Sequence, residues 1–175
     1  MDELFIPTKG NTQVTIYPKD LNNQLNNRIL KKLKTQLEGK CVKEGFVKEG
    51  SVKVLNRSLG HGQAATFDGS VTFHVEYTMD ICNPLEGSII DVQALNVNKM
   101  GVLAGIPYQP QSPLYIMLAK QHHIDDGDAK GGNEFDKINV DDIFKVRVVG
   151  KRFEYGDTQI TIIGVLESVY DKFKQ

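Results

Sequence analysis

Between Val71 and Tyr77 the chain alternates. Val71, Phe73, Val75 and Tyr77 are apolar, and Thr72, His74 and Glu76 stand between them. A period of two places these sets on opposite faces, so the segment predicts a strand with one buried and one wet face. Asp68-Gly69 just before it reads as a turn. Upstream the period changes. Leu21, Leu25, Ile29, Leu33 and Leu37 recur every four residues, with Leu30 beside them, and make one apolar stripe on a helix. Pro18-Lys19-Asp20 interrupts the preceding chain and offers Asp20 as the helix cap, while Gly39 stands just past the end as a terminator. Leu4-Phe5-Ile6 and the stretch around Val14, Ile16 and Tyr17 predict two short strands, and Val52 and Val54 flank Lys53 in another. The expected N-terminal unit is α+β, a helix covering one face of a sheet.

Asn83-Pro84 marks a boundary, because the residue before proline is pushed out of helical geometry. The expected domains are 1–82 and 83–175. In the second, Ile90, Val92 and Ala94 alternate with Asp91 and Gln93, and residues 101–106 form a short strand. Residues 114–118 are a continuous apolar strand. Phe144, Val146 and Val148 alternate with Lys145, Arg147 and Val149, and Ile160 and Ile162 close the series. Five strands without a long helix predict a small closed barrel, with an OB-fold as the natural candidate. Residues 122–142 are rich in Gly, Asp and Lys, lack periodicity and read as a long exposed loop.

Composition narrows the function classes. The 175 residues include 40% hydrophobic positions, enough for a packed core. A formal net charge of −1 excludes strong global attraction to nucleic acid, so any RNA contact must be local and salt-sensitive. Cys41 and Cys82 form no close-spaced metal or redox motif and read as two part-buried free thiols. His122 and His123 stand near Asp125, Asp126 and Asp128. An EF-hand frame beginning at Asp126 would place Lys137 at its acidic twelfth position, so the frame fails and a polar loop is the plainer reading. There is no Walker sequence, HExxH motif or nucleophile signature, and no cofactor motif; the sequence predicts a non-enzyme.

Two basic groups remain. Lys145 and Arg147 share one face of a strand whose other face is apolar, and Lys151 and Arg152 lie just beyond. They read either as a phosphate-contacting patch or as ordinary solvated charge. Arg28, Lys31, Lys32 and Lys34 crowd the second half of the helix, where the plainer reading is favourable placement near its C-terminus.

Four segments in order resemble the stalk-subunit family of multisubunit RNA polymerases, which has archaeal members and includes the eukaryotic seventh polymerase subunit. Residues 38–54, EGKCVKEGFVKEGSVKV, carry Glu38-Gly39, Cys41 and Gly45-Phe46 in the family's order. Residues 60–77, GHGQAATFDGSVTFHVEY, resemble its loop leading to Asp-Gly-Ser and an alternating strand ending in Tyr. The segments NPLEGSIIDVQALNVNKMGVLAGI and DDIFKVRVVGKRFEYGDTQITIIGVL are similar to its entry into the barrel and its last two strands. A virus-encoded member is one form the family takes.

The resemblance implies an N-terminal tip domain that docks on the polymerase core, at the clamp of the largest subunit and a neighbouring small subunit. Gly60, His61, Gly62 and Gln63 are the candidate docking loop. It implies an OB barrel of the ribosomal protein S-one type that touches nascent single-stranded RNA, with Lys145, Arg147, Lys151, Arg152 and a weaker Lys120 as candidate contacts. It also implies a small helical partner subunit, for which an apolar strip around Cys82 to Leu85 is the expected seat. Where better RNA-binding barrels carry stacking aromatics, this chain has Met100, Leu103 and Met117, so binding by charge is expected. A free-standing OB-fold RNA-binding protein in translation or RNA decay is the alternative; it accounts for the barrel and not for the N-terminal half. A metal-dependent hydrolase using the acidic loop is a third reading, and metal-dependent turnover would distinguish it.

Overall fold

A computed structural model of the chain describes residues 4–62, 68–107, 112–121 and 137–169. The first strand, β1, runs unbroken from Phe5 to Ile16 where the sequence predicts two short pieces. Its middle, Pro7 to Gln13, is polar and shows no buried face, which hides the continuity. Pro7 is tolerated because β1 lies at the edge of its sheet, where a missing N–H breaks no ladder. A turn at Pro18–Asp20 follows.

The helix α1 spans Leu25–Leu37 and starts later than predicted. Asp20 does not cap it. The Asn22 side chain instead accepts a hydrogen bond from the Gln24 amide at 2.9 Å, a local turn that competes with helix and leaves Leu21 exposed. Asp20 pairs with Arg28 at 3.7 Å. Ile29, Leu33 and Leu37 are buried against the sheet, with Leu25 and Leu30 packed at the margin. Gly39, at φ +70°, reverses the chain beyond the helix.

Four short strands follow: β2 Cys41–Val42, β3 Gly45–Val47, β4 Lys53–Arg57 and β5 His61–Gly62. All but β2 pair with β6, Val71–Cys82, whose other edge carries β1 along its whole length. Phe73, Val75, Tyr77, Met79 and Ile81 of β6 are buried on the helix side. Residues 74 and 76 between them are exposed, as the alternation predicts.

Gly45-Phe46 has a steric explanation. Gly45 sits at φ +141°, and a Cβ there would lie 2.5 Å from the Cys82 carbonyl. Phe46 pairs with Cys41 on one side and Cys82 on the other. The two thiols are therefore two strands apart, roughly 10 Å between Cα atoms, beyond the ~7 Å limit for a disulfide. Both are buried, and neither is in a disulfide. Cys82 and Pro84 are buried, and Leu85 is 70% exposed.

The chain divides into two compact units between Asn83 and Pro84. The second contains β7 Ile89–Asn98, β8 Gly101–Gly105, β9 Leu114–Ala119, β10 Ile143–Arg152 and β11 Ile160–Val169. They close a barrel in the order β7, β8, β9, β11, β10, with β10 returning to β7. The β9–β11 pairing is parallel and the others antiparallel. A closed five-stranded barrel of this order is consistent with the OB type. Val92, Ala94, Ile116, Phe144, Val146 and Ile162 are fully buried at its centre. Most of the acidic 122–142 segment, including both histidines, lies outside the described residues.

Replacing Gly45 with Ala adds a strained φ to a backbone collision. The expected cost is at least ~2 kcal/mol to the N-terminal unit, read as faster hydrogen exchange at β3 and β6 amides. Gly62→Ala, which would meet nothing within 4 Å, should stay within about 0.5 kcal/mol of the parent.

Candidate nucleic-acid and docking surfaces

On β10, Phe144, Val146 and Val148 point into the barrel, so Lys145 and Arg147 face outward as the alternation requires. The candidate cations do not form one tight cluster. Lys145 and Arg152 lie seven residues apart, roughly 23 Å along an extended strand. Lys120 stands at the end of β9, where its amide donates to the Met100 carbonyl at 3.0 Å.

Nor are they idle. Arg147 donates from Nε and Nη2 to the two Glu167 carboxylate oxygens at 2.9 and 2.7 Å. Those hydrogen bonds hold the Glu167 carboxyl below its ordinary range and lift the guanidinium further above its own. Lys151 is half-buried and donates from Nζ to the Pro84 carbonyl at 2.9 Å. Arg152 pairs with Glu154 at 3.3 Å in full exposure. The helix cations are structural in the same sense: Lys32 donates to the Thr15 carbonyl at 2.8 Å, and Lys34 approaches Glu38 at 3.9 Å.

The outer barrel face carries an apolar row in register. Leu103 pairs with Met117, and Met117 with Ile163. Met117 and Ile163 are 41% and 46% exposed, and Met100, in the β7–β8 turn, is 84% exposed. Sequence reasoning missed two exposed aromatics: Tyr115 on β9, and Tyr155 in the turn between β10 and β11. In Leu114-Tyr115-Ile116-Met117-Leu118 every position is apolar or aromatic, so the run alone does not say which residues face out. Tyr155 sits among polar turn residues, and its flanking Gly156 was the available signal.

In the N-terminal unit, His61 and Gly62 form β5 against Thr72 and Val71. The His61 and His74 rings meet edge-on at 6.5 Å between centroids. Gly60 has a packing reason to be glycine, since a Cβ would collide with Val71 and lie 2.8 Å from the Phe73 ring. Gln63 lies outside the described residues. Leu59, not singled out from the sequence, is 84% exposed beside the loop. The sheet carries an open groove of about 510 Å³ whose lining includes Asn11, Gln13, Asn56, Ser58, His74 and Glu76. Among the described residues no group of three or more His, Cys, Asp or Glu is placed to hold a metal ion. Among them, too, no helix is long and apolar enough to cross a membrane.

Because its folded pKa is depressed, Glu167 contributes stability through the Arg147 pair above the ordinary glutamate range. That contribution is lost as pH falls through the lower, folded value. A carboxyl-carbon NMR titration should place the Glu167 midpoint below ~4.3, and Arg147→Gln should move it back up.

No protein-family model matches the sequence. The chain is 26% identical over 162 residues to DNA-directed RNA polymerase II subunit RPB7 of Glycine max, covering 87% of this chain and 86% of that protein. It is 25% identical over 162 residues to DNA-directed RNA polymerase II subunit 7 of Arabidopsis thaliana, with the same coverage. A protein of Acanthamoeba polyphaga mimivirus, assigned as DNA-directed RNA polymerase subunit L376, is 21% identical over 164 residues, covering 93% of this chain and 82% of that one. The resemblance to the RNA polymerase seventh-subunit family therefore extends over most of the chain, which is a homologue of subunits of the RPB7 type.

Proposed function

We propose that this chain is a non-catalytic stalk subunit of a DNA-dependent RNA polymerase. Its N-terminal unit is the docking tip, and its barrel contacts nascent RNA. The observation that carries the reading is collinear similarity to polymerase subunits across both units, with 87–93% of the chain matched. A free-standing barrel would account for only the second unit. In this reading the polymerase core receives the β5 loop, where His61, Gly62 and the neighbouring Leu59 are exposed. A small helical subunit is the heterodimer partner. Single-stranded RNA meets Lys120, Lys145, Arg147, Lys151 and Arg152.

Docking is tested in the source cell by co-purification with the large polymerase subunits. His61→Asp combined with Gly62→Asp should weaken association and leave the fold intact, because both positions are exposed and Gly62 has open space around it. Unchanged association removes the β5 loop from the interface.

RNA contact is tested by affinity against salt concentration. Lys145→Glu with Arg147→Glu should weaken binding to all sequences alike and flatten the salt slope by ~0.7 for each phosphate no longer neutralised. Identical curves would move the RNA surface elsewhere, and tight, salt-insensitive binding to one sequence would reject a charge-based mechanism.

A further inference from the structure

The Arg147–Glu167 pair is not an ordinary cross-strand neighbour. In the β10–β11 ladder Arg147 stands opposite Val165 and Val146 opposite Leu166, yet Lys145 stands opposite Ser168. β11 thus carries one extra residue, Glu167, at a bulge. In an unbroken ladder Glu167 would face Lys145. Bulges re-aim side chains, and this one accompanies a two-pronged contact in which both carboxylate oxygens meet one guanidinium, at 2.9 and 2.7 Å. Arginine uses the same fork for a phosphate group.

We infer that Glu167 occupies, within the folded chain, the position on Arg147 that an RNA phosphodiester takes. The inference rests on the RNA reading of β10. Glu167 presents a planar anion with two acceptor oxygens where a phosphodiester would present two of its own. RNA must displace it before Arg147 counts toward binding. The pair therefore holds barrel affinity down and leaves Arg147 to a polyanion able to outcompete a tethered carboxylate. The depressed Glu167 titration agrees with a carboxylate held by its cation. Both side chains are on the surface, so the exchange needs no opening of the core.

The test measures binding of a single-stranded oligouridylate to the full chain across a salt series. Glu167→Gln keeps the side-chain shape and removes the competing charge. One further phosphate contact should steepen the salt slope by ~0.7, which at ~0.15 M salt is roughly a fourfold gain in affinity. Adding Arg147→Gln should abolish that gain. If Lys145→Glu with Arg147→Glu weakens RNA binding but Glu167→Gln leaves slope and affinity unchanged, the RNA reading stands and the role of Glu167 is overturned. If neither the parent nor Glu167→Gln binds the oligonucleotide at any salt, both fall.

Discussion

β6 is the constraint on which the N-terminal unit depends. Its twelve residues pair with β1 along one edge and with β3, β4 and β5 along the other. A one-residue slip would turn Phe73, Val75, Tyr77, Met79 and Ile81 out to solvent, and burial of such side chains is worth roughly 1.5–3 kcal/mol each. The register is therefore strongly fixed. It also fixes what the opposite face offers, because His74 and Glu76, standing between those anchors, are turned away from the core and line the groove. His74 is brought to His61, and Glu76 between Asn11 and Asn56, by the requirement that the other face be dry.

The barrel obeys a different rule. Closure needs β11 to enter beside β9 in parallel and to pair with β10 along its other edge. These two long strands, β10 and β11, meet with irregular register at two places. Gly164 sits in that stretch, where a Cβ would collide with the Val146 side chain. The curvature that closes the barrel and the irregularity that aims Glu167 belong to the same strand pair.

Legibility from sequence follows one-sided burial. β6, β7 and β10 bury one face, and each shows in its alternation. That pattern also gives the outward direction of Lys145 and Arg147. β1 reads as two fragments because its centre is polar on both faces. The start of α1 is misplaced because Asn22 offers the backbone a competing turn that no apolar period records. The engagement of Arg147 is invisible for a deeper reason: a bulge is a mismatch in count between two strands and is written in neither alone. Tyr115 is hidden by the opposite problem, a run in which every residue could have been inside.

The row Cys41, Phe46, Cys82 has a consequence for how the N-terminal unit can be watched. Its two thiols are sealed within β2, β3 and β6, too far apart to oxidise to one another. A thiol reagent reaches them only when those strands separate. Their rate of alkylation is thus a clock for the opening of this sheet end, set by the free energy of local unfolding. A ligand that binds only while this sheet end is closed would slow that clock.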